Sequence, residues 1–160
     1  MTARQERGNG SEVQQVVLNK PVHYTFEAEE QAALLSSGIS NYKIHVRAKS
    51  NGQIFTSKLY DVKKKRCNSF VRFVSPSASG YGQIACFLAY DSNVLCIIRV
   101  YTVQHLELFY HKGSLHQIKH LLPVQETKVI ETIPLKYVQQ KVIKAGSYLC
   151  LRPNVFEVNL

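Results

Sequence analysis

Carboxylates are scarce in this chain: 11 Asp and Glu stand against 20 Lys and Arg among 160 residues, a formal net charge of +9. Those between positions 61 and 131, Asp61, Asp91, Glu107, Glu126 and Glu131, are scattered, so no carboxylate pair of the kind that general acid–base or glycosidase chemistry uses can be picked out. There is no G-x-S-x-G elbow to activate a serine and no HExxH to hold zinc. The glycines of Ser79-Gly80-Tyr81-Gly82 lead into a strand pattern instead of a helix, so they do not form a phosphate-cradling loop. The four cysteines, Cys67, Cys86, Cys96 and Cys150, lack CxxC spacing. Three of them fall inside apolar strand patterns and read as buried, reduced thiols of an intracellular protein. No apolar run reaches the roughly 20 residues of a membrane span, and the start, MTARQERGNGSEVQQ, has no signal-peptide core. A membrane partner and secretion are therefore not expected. Enzyme activity is not expected either, and no cofactor is implied.

What the chain does contain is β-strand material. Hydrophobic residues make up 45% and charged residues 19%, the balance of an ordinary globular domain. The strongest pattern is YGQIACFLAY, then Asp91-Ser92-Asn93, then VLCIIRVYTV: two apolar, β-branched runs around a three-residue turn, as in a long hairpin covered on both faces. Residues 1–15 are polar and aperiodic and read as a disordered tail, with one domain over 16–160. A helix is expected near 26–37, capped by Thr25, acidic at Glu27, Glu29 and Glu30, and ended by Gly38; its charge suits docking on a basic part of the domain. Tyr42 to Ala48 alternates so that Tyr42, Ile44, Val46 and Ala48 face inward while Lys43, His45 and Arg47 face water. Asn51-Gly52 then turns the chain onto a strand from Gln53 to Tyr60, and a further strand runs from Ser69 to Val74. Leu115, Ile118, Leu121 and Leu122 have helical spacing, with Ser114 as cap and Pro123 as stop, which predicts a helical insertion near 114–122. Strands follow over 127–133, 137–143, 147–151 and 155–158. So many short strands in one small domain predict a mainly β fold that is partly closed as a barrel or sandwich, with one or two short peripheral helices.

The order YGQIACFLAY, VLCIIRVYTV, a variable insertion, VIETIPLKYVQQKVI and YLCLRPNVFE resembles that of bromo-adjacent homology (BAH) domains, over Tyr81 to Glu157. In that family a G-x-I strand opens a twisted, SH3-like barrel and an I-P-L phrase helps complete it. The upstream phrase SNGQIFTSKLYDVKKKRCNSFVRF, running into YGQI, is similar to a cassette near the C-terminal ends of uncharacterised proteins encoded by transposable elements. Together the resemblances imply an accessory β-domain without transposase chemistry of its own.

Lys63, Lys64, Lys65 and Arg66 form the strongest charge feature, expected to be a loop between strands. Contiguous cations hold phosphates and also serve as nuclear-import signals, although a solvated loop has the same composition. Arg47, Lys49 and Lys58 extend the patch if the Asn51-Gly52 hairpin lies beside it, with Tyr60, Phe70 and Phe73 as flanking aromatics. The expected function is thus a non-enzymatic nuclear module that binds nucleic acid, DNA in preference to RNA, or a chromatin protein. The alternative is a protein-interaction or assembly module, docking through a strand edge or the 115–122 helix. His111, His116 and His120 are the nearest approach to a metal set; His116 and His120 would be four apart on that helix, but no ligand motif accompanies them and no metal is assigned.

Overall fold

The computed structural model describes residues 16–64, 68–104, 108–117 and 121–151. Along the chain lie β1 (Val16–Leu18), α1 (Ala28–Ser37), β2 (Lys43–His45), β3 (Arg47–Ser50), β4 (Gln53–Thr56), α2 (Lys58–Lys64) and β5 (Phe70–Val74). There follow β6 (Ser79–Tyr90), β7 (Asn93–Val103), β8 (Leu108–His111), β9 (Ser114–Gln117) and β10 (Leu121–Pro134). A 3-10 turn (Leu135–Tyr137), β11 (Val138–Lys141), β12 (Ile143–Ala145) and β13 (Tyr148–Cys150) complete it. The fold is mainly β, with two short α-helices among the described residues.

The β6–β7 hairpin is the centre of the larger, eight-stranded sheet, whose order is β11-β5-β6-β7-β10-β13-β12 with β2 also paired to β6. Its turn has two residues, one fewer than expected: Asp91 and Ser92 both take positive φ, 43° and 63°, and Tyr90 pairs with Asn93. That conformation gives the strand twist a tight turn to follow. Both faces of the hairpin are covered, as the unbroken apolar runs predict. On one, Ile84, Phe87, Cys96 and Ile98 meet Ala48 and Phe55 of the small β1-β3-β4 sheet. On the other, Cys86, Leu88, Leu95 and Ile97 meet Leu34 of α1. The molecule is therefore layered as small sheet, large sheet, helix. A bulge at Ala85 switches the alternation, so Ala85 and Cys86 both lie on the helix side.

The hydrogen-bonded path of the large sheet does not close, since its end strands β11 and β12 pair with β5 and β13 and not with each other. The two are nevertheless consecutive in the chain, joined through Val142, whose N–H donates to the Phe70 carbonyl at 2.9 Å. Around that bend Phe70, Tyr101, Val124, Val142 and Leu149 form a third apolar cluster.

Several expectations are corrected. The 114–122 helix is not formed: Lys112 and Gly113, at φ 52° and 79°, make a two-residue turn between β8 and β9, and Leu121 opens β10. The turn's left-handed pair sets a hairpin, and the helical spacing of the leucines is overridden. The strand from Gln53 stops at Thr56, because Ser57 starts α2: its carbonyl accepts from Asp61 N–H at 3.0 Å and its hydroxyl from Tyr60 N–H at 3.3 Å. Helix α1 forms as expected and ends at Gly38 in the left-handed region, φ 74°, but its cap is Glu27 rather than Thr25. There the Glu30 carboxylate accepts the Glu27 N–H at 2.8 Å in a capping box. His45 is buried, not wet, because the chain bends at Val46 from pairing with β6 to pairing with β1 and β4. Its Nδ1 lies 2.6 Å from the Asn19 carbonyl, to which an Nδ1–H donates. The strand expected over 137–143 is divided among the 3-10 turn, β11 and the start of β12. The expected tail over 1–15 and strand over 155–158 lie outside the described residues.

Candidate nucleic-acid interface

The outer face of the small sheet brings together part of the predicted patch. Along β3, Ala48 and Ser50 are buried inward, so Arg47 and Lys49 point the other way, away from the large sheet. The register sets Lys49 opposite Ile54 and Arg47 opposite Thr56, and Lys58 follows two residues later as the first residue of α2. Lys49 and Lys58 are exposed, and Arg47 is partly so. The Arg47 guanidinium lies 5.9 Å from the centre of the Tyr60 ring, which fixes the strand cation against the helix.

Asp61 is the pin beneath this arrangement. Its carboxylate is buried and accepts the Thr56 hydroxyl at 2.7 Å and the Asn68 N–H at 2.7 Å, tying β4, α2 and the approach to β5 together. Its charge is thus spent internally. Lys63 and Lys64 close α2 instead of lying in a loop. Lys65 and Arg66 lie outside the described residues, as do Cys67 and His120. Phe70 and Phe73 are both core, on opposite faces of β5, and are not available for stacking.

The acidic residues gather elsewhere. Arg99 of β7 is only 11% exposed and is met by three carboxylates: Glu27 in direct contact, Glu126 at 3.5 Å and Glu29 at 3.8 Å. Its guanidinium also donates to the Thr127 carbonyl at 3.2 Å. This is how the acidic helix docks, on a single buried cation of the large sheet. Glu30 is buried beside it and accepts the Tyr24 hydroxyl at 2.9 Å. Burial, then this hydrogen bond, pushes the Tyr24 hydroxyl far above its ordinary value. Among the described residues three carboxylates pair with Arg99, whereas Arg47, Lys49 and Lys58 have no carboxylate partner. The Arg99 cluster was not legible in sequence, since its members come from positions 27, 29, 99 and 126.

The remaining chemistry-bearing residues are inert or separate. Cys86 and Cys96 are buried and unpaired, and burial drives both thiols well above their ordinary range, so neither is a nucleophile as it stands. His116 sits on strand β9 opposite Phe109, not on a helix face, and among the described residues no group of three His, Cys, Asp or Glu converges. A cleft of about 730 Å³ between β1 and the β6–β7 turn is lined by Val16, Leu18, Val94, Leu95 and Leu135, with Asp91 and Lys136 as its charges. No described helix is long and apolar enough to cross a membrane. No family model matches the chain, and neither does any curated protein or solved structure.

Proposed function

We propose that this chain is a non-enzymatic module that binds nucleic acid, duplex DNA in preference to RNA, or the nucleic acid of chromatin, through the cations of the small sheet and α2. The observation that carries the reading is the division of charge. Five of the described carboxylates are engaged, Glu27, Glu29 and Glu126 on Arg99 and Glu30 and Asp61 on internal hydrogen-bond donors, whereas Arg47, Lys49 and Lys58 are left without a carboxylate partner. An unneutralised row of cations on a net charge of +9 is an electrostatic footprint for phosphate. On the same reading the sheet that starts and ends at Val142 is a partly closed, BAH-like barrel, the chain is an accessory domain of a transposon-derived protein, and its place is the nucleus. Competition from an assembly role is weakened because the exposed large apolar residues, Val17, Leu35, Val62, Val74, Val103, Val129 and Ile143, sit on seven different elements.

Binding to a labelled duplex at low salt, followed by fluorescence anisotropy, tests this. Replacing Lys49 and Lys58 by Ala, and separately Lys63, Lys64 and Lys65, is expected to weaken affinity at least about tenfold each, since each cation releases a counterion. Unchanged affinity in both variants, or no binding at low salt, overturns the reading.

A further inference from the structure

Helix α1 is held to the large sheet by little apolar contact and much charge. Of its ten residues only Glu30 and Leu34 are buried, and Leu35 is 76% exposed. Beyond these, Glu27 and Glu29 meet Arg99 and the Tyr24 hydroxyl donates to Glu30, all at the end where the chain enters the helix. Arg99 is nearly buried, yet Glu27 and Glu126 are more than half exposed, so water and salt reach the pairs. Beneath the helix lies Cys86, in one cluster with Leu34, Leu88 and Ile97. Cys96 pairs with the very next residue, Phe87, but faces the opposite way, among Phe73, Phe87 and Ile98 under the small sheet.

We propose that α1 is a salt-latched lid over the Cys86 face of the central hairpin, lifting as a unit while the two sheets stay folded. The chain opens most easily where few apolar contacts must be lost, and α1, with one buried leucine, is such a place. The helix takes part in no strand pairing, so lifting it leaves the long β6–β7 and β7–β10 ladders in place, the latter with an irregularity between Glu126 and Ile130 beside Arg99. Opening exposes an apolar face and a thiol together. The two cysteines give an internal comparison, because lid opening uncovers Cys86 alone and global unfolding uncovers both.

The test is pulsed alkylation of the full chain with N-ethylmaleimide, the label placed on Cys86 or Cys96 by fragmentation mass spectrometry. At about 20 mM salt Cys86 is expected to react at least about tenfold faster than Cys96. Raising salt to about 0.5 M, where charges are screened beyond a few ångströms, is expected to speed Cys86 several-fold without moving Cys96. Arg99→Met should do the same, and Glu27→Gln with Glu29→Gln supplies a second variant that leaves the arginine in place. Equal rates for the two thiols under all conditions, or a Cys86 rate that ignores salt and both variants, overturns the proposal.

Discussion

Replacing Gly82 by alanine tests the close approach at the centre of the large sheet. Gly82 pairs with Val100, and a Cβ built there would lie 2.4 Å from Ile98 Cγ2, 2.5 Å from the Arg99 carbonyl oxygen and 3.2 Å from the Arg99 carbonyl carbon. Non-bonded carbons rest at about 3.5–4.0 Å, so the neighbours must withdraw by about 1 Å. Ile98 is fully buried and has nowhere to turn, and the Arg99 oxygen is backbone, so relief requires β6 and β7 to part. Overpacking of this kind costs about 1–3 kcal/mol, and a backbone obstacle places Gly82→Ala at the upper end, reduced slightly by the lower chain entropy of unfolded alanine. For a domain of this size a loss of about 2–3 kcal/mol lowers Tm by about 4–12 °C. The comparison is Gly52→Ala in the β3–β4 turn, where φ is 80° but no atom lies within 4 Å; its cost is the left-handed backbone alone, about 1–2 kcal/mol. Differential scanning calorimetry of both variants decides it. A Gly82→Ala protein that melts within 2 °C of the parent, taking about 2 °C as the effect of a surface change, or above Gly52→Ala, refutes the close packing of this hairpin.

Asp61→Ala removes the acceptor for the Thr56 hydroxyl and the Asn68 N–H, both charge-assisted, and should cost about 2–4 kcal/mol in urea unfolding, with Asp61→Asn costing less because one acceptor oxygen remains. Alkali should destabilise the fold steeply. Tyr24, Cys86 and Cys96 all hold their protons above the ordinary values of 10.0 and 9.0, so above about pH 9 the unfolded chain sheds protons that the folded one keeps. The unfolded state then binds fewer protons, and unfolding free energy falls by about 1.4 kcal/mol per group per pH unit as the pH climbs through this range, while below it these groups cost nothing. Tyr24→Phe should flatten the pH dependence of denaturant unfolding between about pH 10 and 11, and an unchanged slope would show that Tyr24 is not held protonated.

How much of this was legible in sequence depends on whether the deciding contact was local. The central hairpin announced itself because both faces of β6 and β7 are covered, which requires unbroken apolar runs. Asn51-Gly52 and Gly38 were readable because positive φ selects those residues. Helix α2 was missed because Leu59 and Tyr60 continue the apolar content of β4; the local signal was Ser57, a capping residue, with Asp61 in the first turn. The supposed helix at 114–122 came from leucine spacing, and the overlooked signal was Lys112-Gly113 at a hairpin tip. His45 defied alternation because the small sheet and the large sheet share its strand segment, a tertiary fact. Within the candidate interface, hairpin register was enough to join Arg47, Lys49 and Lys58, but the contact of Arg47 with Tyr60 depends on where α2 folds back.

The central claim, that the small-sheet face holds phosphate, is tested most directly by the salt dependence of duplex DNA affinity. If Arg47, Lys49, Lys58 and the Lys63–Arg66 run all meet phosphates, the slope of log affinity against log salt should approach about −6, and Lys49→Ala with Lys58→Ala should reduce its magnitude by about 2. A slope near zero, or one that both substitutions leave unchanged, would contradict the account.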